Sequence, residues 1–130
     1  MPEAAESPDA GVDLCAADEL QDGGRAVLFD VVWKGEPQRA FALRHEGQVR
    51  GYLNRCAHVP AEMDWNPGEF LDASRRFIVC SIHGAAYEPQ SGRCVGGPCG
   101  QRSLISVTLS EEGGRIHWYP SRDIRSPFDA

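Results

Sequence analysis

The chain has 130 residues, 42% of them apolar, which is enough for one domain with a single core. A formal net charge of −6 argues against nucleic acid as a partner and suits docking onto basic protein surfaces. No apolar run reaches the length of a membrane-crossing helix. The acidic opening MPEAAESPDA has neither an apolar signal core nor a twin-arginine motif, so a cytoplasmic protein without a membrane partner is expected.

Residues 1–14, rich in Pro, Ala and acidic side chains, are expected to form a flexible tail, with the domain running over 15–120. Asp22-Gly23-Gly24 is a turn signal. Residues 25–33, rich in β-branched and aromatic side chains, read as a strand broken by Gly35-Glu36-Pro37. Strands at 39–45 and 48–53 flank Glu46-Gly47, a hairpin turn, and the second delivers the chain to Cys56. Residues 60–72 are irregular, with Met63 and Trp65 as anchors. A strand at 75–80 leads to Cys80, 85–88 is extended, and Gln90-Ser91-Gly92 is a turn. Within 93–100, Gly96-Gly97-Pro98 excludes helix and suits a loop lying close against a neighbour. Strands at 103–109 and 115–119 form a closing hairpin, and 121–130 reads as a tail. With no internal repeat and no amphipathic helix, the expected class is all-β.

Two short pairs carry the chemistry. Cys56-Ala57-His58 and Cys80-Ser81-Ile82-His83 each offer one thiolate and one imidazole from a single loop, in loops 54–66 and 80–100. Two sulfurs and two nitrogens fit a tetrahedral zinc ion, or a [2Fe–2S] cluster with both cysteines on one iron and both histidines on the other. In a reducing compartment, paired cysteines are expected as ligands before disulfides. The surroundings favour the cluster. Gly84 lets backbone approach it, the Tyr87 hydroxyl can donate to a ligand sulfur, and the Gly97-Pro98 turn can form a wall without a colliding side chain. Zinc accounts for four ligands but not for this context.

Cys56, His58, Cys80, His83, Gly84 and Gly97-Pro98 together resemble the Rieske [2Fe–2S] proteins, over roughly residues 21–119. The resemblance implies three stacked antiparallel sheets with an inserted cluster-binding subdomain, and one [2Fe–2S] cluster held by the four Cys and His residues. The high-potential members carry an extra cysteine in each ligand loop, forming a disulfide, and a serine two residues after the second histidine. Here those positions are Ala61, Ile82 and Ala85, while Tyr87 stands where their tyrosine does. Fewer donors to sulfur imply a potential in the lower part of the Rieske span of about −150 to +300 mV. The chain thus resembles the ferredoxins of bacterial aromatic-ring dioxygenases. The implied role is a monomeric one-electron carrier, not an enzyme, between an NAD(P)H-dependent reductase and a terminal oxygenase. His45 and His117 lie on strands with no carboxylate pattern for a mononuclear iron, and no Gly-x-Gly-x-x-Gly is present. A small subunit of an assimilatory nitrite reductase and a zinc-stabilised interaction module are the alternatives.

Val59, Pro60, Ile82 and Pro98 are expected to supply an apolar docking rim. Cys15 reads as a small core residue, Trp33 and Trp118 as core, and Trp65 as packing within its loop. His45 and His117 are expected to be hydrogen-bonded or exposed, and Arg75-Arg76 solvated. Cys94 and Cys99 are expected as free thiols.

Overall fold

The computed structural model describes residues 11–56, 62–64, 68–80 and 84–127. Its described residues form strands β1 (Val12–Ala16), β2 (Val27–Trp33), β3 (Glu36–His45), β4 (Gln48–Leu53), β5 (Ile78–Val79), β6 (Ala86–Tyr87), β7 (Cys94–Gly96), β8 (Ser106–Glu112), β9 (Arg115–Tyr119) and β10 (Ile124–Arg125). One short 3-10 turn, Ala17–Glu19, follows β1. A seven-stranded sheet runs in the order β10-β2-β3-β4-β8-β9-β1, and a small sheet runs β5-β6-β7. The expected all-β class is what is found. The expected three sheets are β10-β2-β3-β4, β8-β9-β1 and the small sheet, the first two made continuous among the described residues where Gly51–Val107 and Tyr52–Ser106 join β4 to β8.

Three hairpins follow from two-residue turns. Trp33 pairs with Glu36, His45 with Gln48, and Glu112 with Arg115. At the second, Glu46 and Gly47 both take positive φ, the turn whose twist matches that of the flanking strands. The strand read over 25–33 ends at Trp33 as expected, but Pro37 lies within the next strand instead of in the break. Pro37 pairs with Val32 at the end of β3 that extends past the β4 ladder, which begins at Ala40, so a missing N–H is tolerated there.

β3 explains how the layers stack. Ala40, Phe41, Ala42 and Leu43 are all buried, so the strand shows no apolar–polar alternation. Phe41 and Leu43 pack with Tyr52, Phe70, Ile78 and both Cys56 and Cys80. Ala40 packs from the opposite face with Val31, Leu53 and Trp118, and Ala42 with Cys15, Leu20 and Ile116. Phe41 stacks on Phe70 with ring centroids 3.8 Å apart, and so seats the segment leading to the small sheet. Cys15 is core as expected, and burial pushes its thiol up from the ordinary value. Trp118 is buried against Phe29. Trp33 is only half-buried, covered by Lys34 and Arg55, whose cationic groups lie 5.1 and 4.6 Å from its ring centroid.

Both ends of the fold depart from the expected tails. Val12–Leu14, placed in the flexible segment 1–14, belong to β1 and pair with β9. Ile124 and Arg125, placed in the C-terminal tail, pair with Trp33 and Val32. The alternation of Val12 and Leu14 with Asp13 is too short to stand out of an acidic stretch, and tertiary pairing decides it. Residues 1–10 and 128–130 lie outside the described residues. Arg44 ties the start of the chain down, donating to the carbonyls of Leu20 and Ala17 and to both carboxylate oxygens of Glu111. The Arg44 hydrogen bond holds the Glu111 carboxyl below its usual range.

Tyr52 gives a pH signature. Its hydroxyl is buried and donates to the Pro89 carbonyl at 2.7 Å, and burial pushes its pKa from 10.0 up to about 12. The stabilisation is present in full below the unfolded value of 10.0 and is lost as pH rises through about 12. Tyr52→Phe is expected to remove that alkaline loss, at a cost of about 1 kcal/mol at neutral pH for the hydrogen bond. Denaturant melts of both proteins across this range check it; parallel pH profiles would contradict it.

Candidate metal centre

Both cysteines sit where strands end. β4 finishes at Leu53, and Asn54 and Arg55 carry the chain to Cys56; β5 finishes at Val79, directly before Cys80. Each sulfur is therefore fed by a hydrogen-bonded element, which fixes its position better than a free loop would. Cys56 is 2% exposed and Cys80 is fully buried, and they share one apolar cluster with Met63, Ala85 and Tyr87. Their partners in sequence, His58 and His83, lie outside the described residues, as do Val59, Pro60, Ala61, Trp65 and Ile82.

The expected tyrosine contact is present. Tyr87 lies on the middle strand of the small sheet, paired with Ile78 on one side and Cys94 on the other. That register points its ring into the core and brings its hydroxyl to 3.4 Å from Cys56 Sγ. A hydroxyl at this distance can donate to a thiolate.

The second loop is folded back on itself. Gly84 N–H donates to the Cys80 carbonyl, and Cys80 N–H donates to the Ala85 carbonyl, each at 2.8 Å. The Gly97 turn lies against this segment. Gly97 has φ +82°, and a Cβ placed there would come within 2.6 Å of the Gly84 carbonyl oxygen and 2.9 Å of Ala85 Cα. Only glycine fits that approach, which bears out the expected close-lying loop. Pro98 is exposed, as a docking residue requires.

The sequence reading did not single out Asn54, which holds the base of the first loop. Its side chain is 1% exposed; Oδ1 accepts from Met63 N–H at 2.9 Å, and Nδ2 donates to Asp64 Oδ1 at 2.8 Å. The other Asp64 oxygen accepts from Gly68 N–H. Arg39 adds a bidentate contact to Glu62, so residues on both sides of 57–61 are tethered. An amide at the end of an apolar strand, two residues before a cysteine, was the signal that could have found it.

His45 is buried, with Nε2 2.9 Å from the Arg75 carbonyl oxygen, and His117 is half-buried 3.7 Å from Asp13; both match the structural roles expected of them. Arg75 and Arg76 are exposed, as read. Cys94 and Cys99 depart from expectation: they are joined as a disulfide, not held as free thiols. The turn between them brings their Cα atoms to 5.8 Å, inside the span a disulfide bridges. A compartment argument does not register such geometry.

Two buried cysteines from separate strand ends, one 3.4 Å from the Tyr87 hydroxyl and the other bonded to the Gly84 amide through its carbonyl, share one apolar cluster of a β-domain, and no group of three metal-ligating side chains falls among the described residues. Residues 11–119 match the model of the Rieske [2Fe-2S] domain. The chain belongs to this Rieske family, and its cofactor is one [2Fe–2S] cluster, not zinc. It is 30% identical over 105 residues to the ferredoxin component of the alkene monooxygenase system of Xanthobacter autotrophicus, covering 81% of this chain and 77% of that protein. Its fold matches the ferredoxin of carbazole 1,9a-dioxygenase from Nocardioides aromaticivorans with TM-score 0.67 at 22% identity, over 86% of this chain and 99% of that one. The terminal oxygenase of carbazole 1,9a-dioxygenase from Novosphingobium matches with TM-score 0.65 at 18% identity, over 85% of this chain and 30% of that longer one. The described residues fit the cluster: buried cysteine sulfurs are ligands it uses, and the Tyr87 hydroxyl lies 3.4 Å from one of them, placed to donate to a thiolate.

Proposed function

We propose that the chain is the ferredoxin component of an oxygenase system, accepting one electron from an NAD(P)H-dependent reductase and passing it to a terminal oxygenase. Cys56, His58, Cys80 and His83 hold the cluster, which when bound supplies one-electron redox chemistry. The remaining residues position and tune. Asn54 anchors the first loop, the Gly97 turn backs the second, and Tyr87 donates to Cys56. The observation that carries this reading is the buried Cys56–Tyr87 contact in a chain whose 30% identical relative is itself a ferredoxin component. The 30% identical relative, a ferredoxin component covered over 77% of its length, supports a shuttle over a bound nitrite reductase subunit. Among the described residues no helix is long and apolar enough to cross a membrane, and the reading places the carrier in the cytoplasm.

The carrier role is tested with the reductase and terminal oxygenase of an aromatic-ring dioxygenase deprived of its own ferredoxin. Adding this protein is expected to restore NADH-dependent product formation. An absence of electron flow from every such reductase, with a fully loaded cluster, would contradict it.

Tyr87→Phe is expected to lower the midpoint potential. The hydroxyl stabilises the more negative reduced state more than the oxidised one. A differential of about 1 kcal/mol corresponds to roughly 40 mV for one electron. A redox titration of the two proteins measures this, and an unchanged or raised potential would contradict the donor role.

A further inference from the structure

The Cys94–Cys99 disulfide is unused by the electron-carrier role, yet it brackets the turn that presses on the second ligand loop. Its two sulfurs have different surroundings. Cys99 is 1% exposed and belongs to the apolar cluster that also holds Cys56 and Cys80. Cys94 is half-buried and lines a cavity of 460 Å³ together with Arg93, Gly100, Gln101 and Arg102. That described lining holds two arginines and no carboxylate, on a protein whose net charge is −6. A cationic notch at a sulfur attracts an incoming anion and stabilises a thiolate.

We propose that Cys94 and Cys99 form a thiol–disulfide exchange site for an anionic, carboxylate-bearing low-molecular-weight thiol, with Cys94 the sulfur attacked and Cys99 the sulfur released. The thiolate of the incoming molecule bonds to Cys94 Sγ as the Cys94–Cys99 bond breaks, and Cys99 leaves as a thiolate that takes a proton from solvent. A second molecule of the same thiol then attacks the mixed disulfide at the small-molecule sulfur. It leaves as the oxidised dimer and releases Cys94 as a thiol after protonation. Two small thiols are oxidised to one disulfide, and the protein pair gains the two electrons. The dithiol form has an acceptor waiting, because Cys94 Sγ lies 3.5 Å and Cys99 Sγ 3.3 Å from the Gly96 carbonyl oxygen.

The site is coupled to the ligand loop through backbone. Gly96 pairs with Ala86, and Gly97 sits on Gly84 and Ala85. Opening the disulfide releases a cross-link around that turn, so the backbone at 84–86 loosens when the pair is reduced.

The test uses the full-length, cluster-loaded protein under anaerobic conditions, with reduced glutathione as the anionic probe and 2-mercaptoethanol as the neutral one. After quenching by alkylation, mass spectrometry is expected to find Cys94 and Cys99 labelled together, with buried Cys15 unlabelled. Glutathione disulfide is expected to form a mixed disulfide with Cys94 in Cys99→Ser, but not with Cys99 in Cys94→Ser. Arg93→Gln and added salt are expected to slow glutathione and leave 2-mercaptoethanol unaffected. Amide hydrogen exchange over 84–86 is expected to accelerate in the reduced pair. A pair that opens only on denaturation, or only with a dithiol protein such as thioredoxin, would overturn the proposal. Equal modification of Cys99, or an insensitivity to Arg93 and salt, would do the same, and unchanged exchange at 84–86 would remove the coupling. None of these readouts requires a reductase or oxygenase, so they stand apart from the carrier role.

Discussion

Gly97→Val is expected to unseat the turn behind the second ligand loop and to shorten the lifetime of the bound cluster sharply. Two costs combine. Position 97 holds φ +82°, and a side chain in that left-handed region costs about 1–2 kcal/mol. The new Cβ would also meet backbone, the Gly84 carbonyl oxygen at 2.6 Å and Ala85 Cα at 2.9 Å, neither of which can rotate away. Overpacking of this kind costs about 1–3 kcal/mol, and more when the neighbour is rigid. Against a total stability of about 5–15 kcal/mol, the sum is a large fraction. Gly84→Ala is the control, since φ is +75° there but a Cβ would meet nothing among the described residues within 4 Å. It should show the conformational cost alone. Decay of visible absorbance and thermal melts of the two variants decide the matter, and equal losses would mean the close approach of Gly97 has no energetic weight.

Asn54→Leu is expected to loosen the first ligand loop with little effect elsewhere. Leucine is similar in size but leaves the buried Met63 N–H without its acceptor and removes the donor to Asp64 Oδ1, while Gly68 still donates to the other oxygen. A buried unsatisfied donor costs about 1–3 kcal/mol. Asn54→Asp keeps an acceptor for Met63 but sets a second carboxylate beside Asp64, so it should fall between leucine and the parent at low pH and worsen as pH rises. Release of iron to a chelator, followed over pH for both variants, reads this directly. Identical release rates in all three proteins would show that Asn54 does not hold the loop.

Most of the scaffold was legible from local chemistry. The β-branched stretch ending at Trp33, the Glu46-Gly47 turn and the Gly113-Gly114 turn each fix a hairpin without help from the rest of the chain. Cys56 and Cys80 stood out as candidate ligands from their spacing to histidine, and the structure buries both and sets the Tyr87 hydroxyl beside Cys56. What escaped depends on partners far away in sequence. Val12–Leu14 become a strand only because β9 is there to pair with, and Ile124 only because Trp33 offers an open edge. The role of Asn54 requires knowing that the chain returns to it at Met63 and Asp64. The Cys94–Cys99 bond follows from the tightness of a glycine turn, a property that compartment reasoning does not touch. Local rules therefore mark the Cys-His pairs as candidate ligands, and tertiary contacts decide what packs around Cys56 and Cys80.

The central claim is that Cys56 and Cys80 bind a Rieske cluster together with His58 and His83. The most direct measurement is the visible and paramagnetic resonance spectrum of anaerobically purified protein, with iron, sulfide and zinc quantified on the same sample. The account predicts iron and sulfide in equal amounts and a rhombic signal that appears only on reduction. In His58→Cys or His83→Cys that signal should shift to one characteristic of all-cysteine ligation or vanish. A colourless protein holding zinc after growth in iron-rich medium, or a Rieske signal that survives replacement of either histidine, would contradict it.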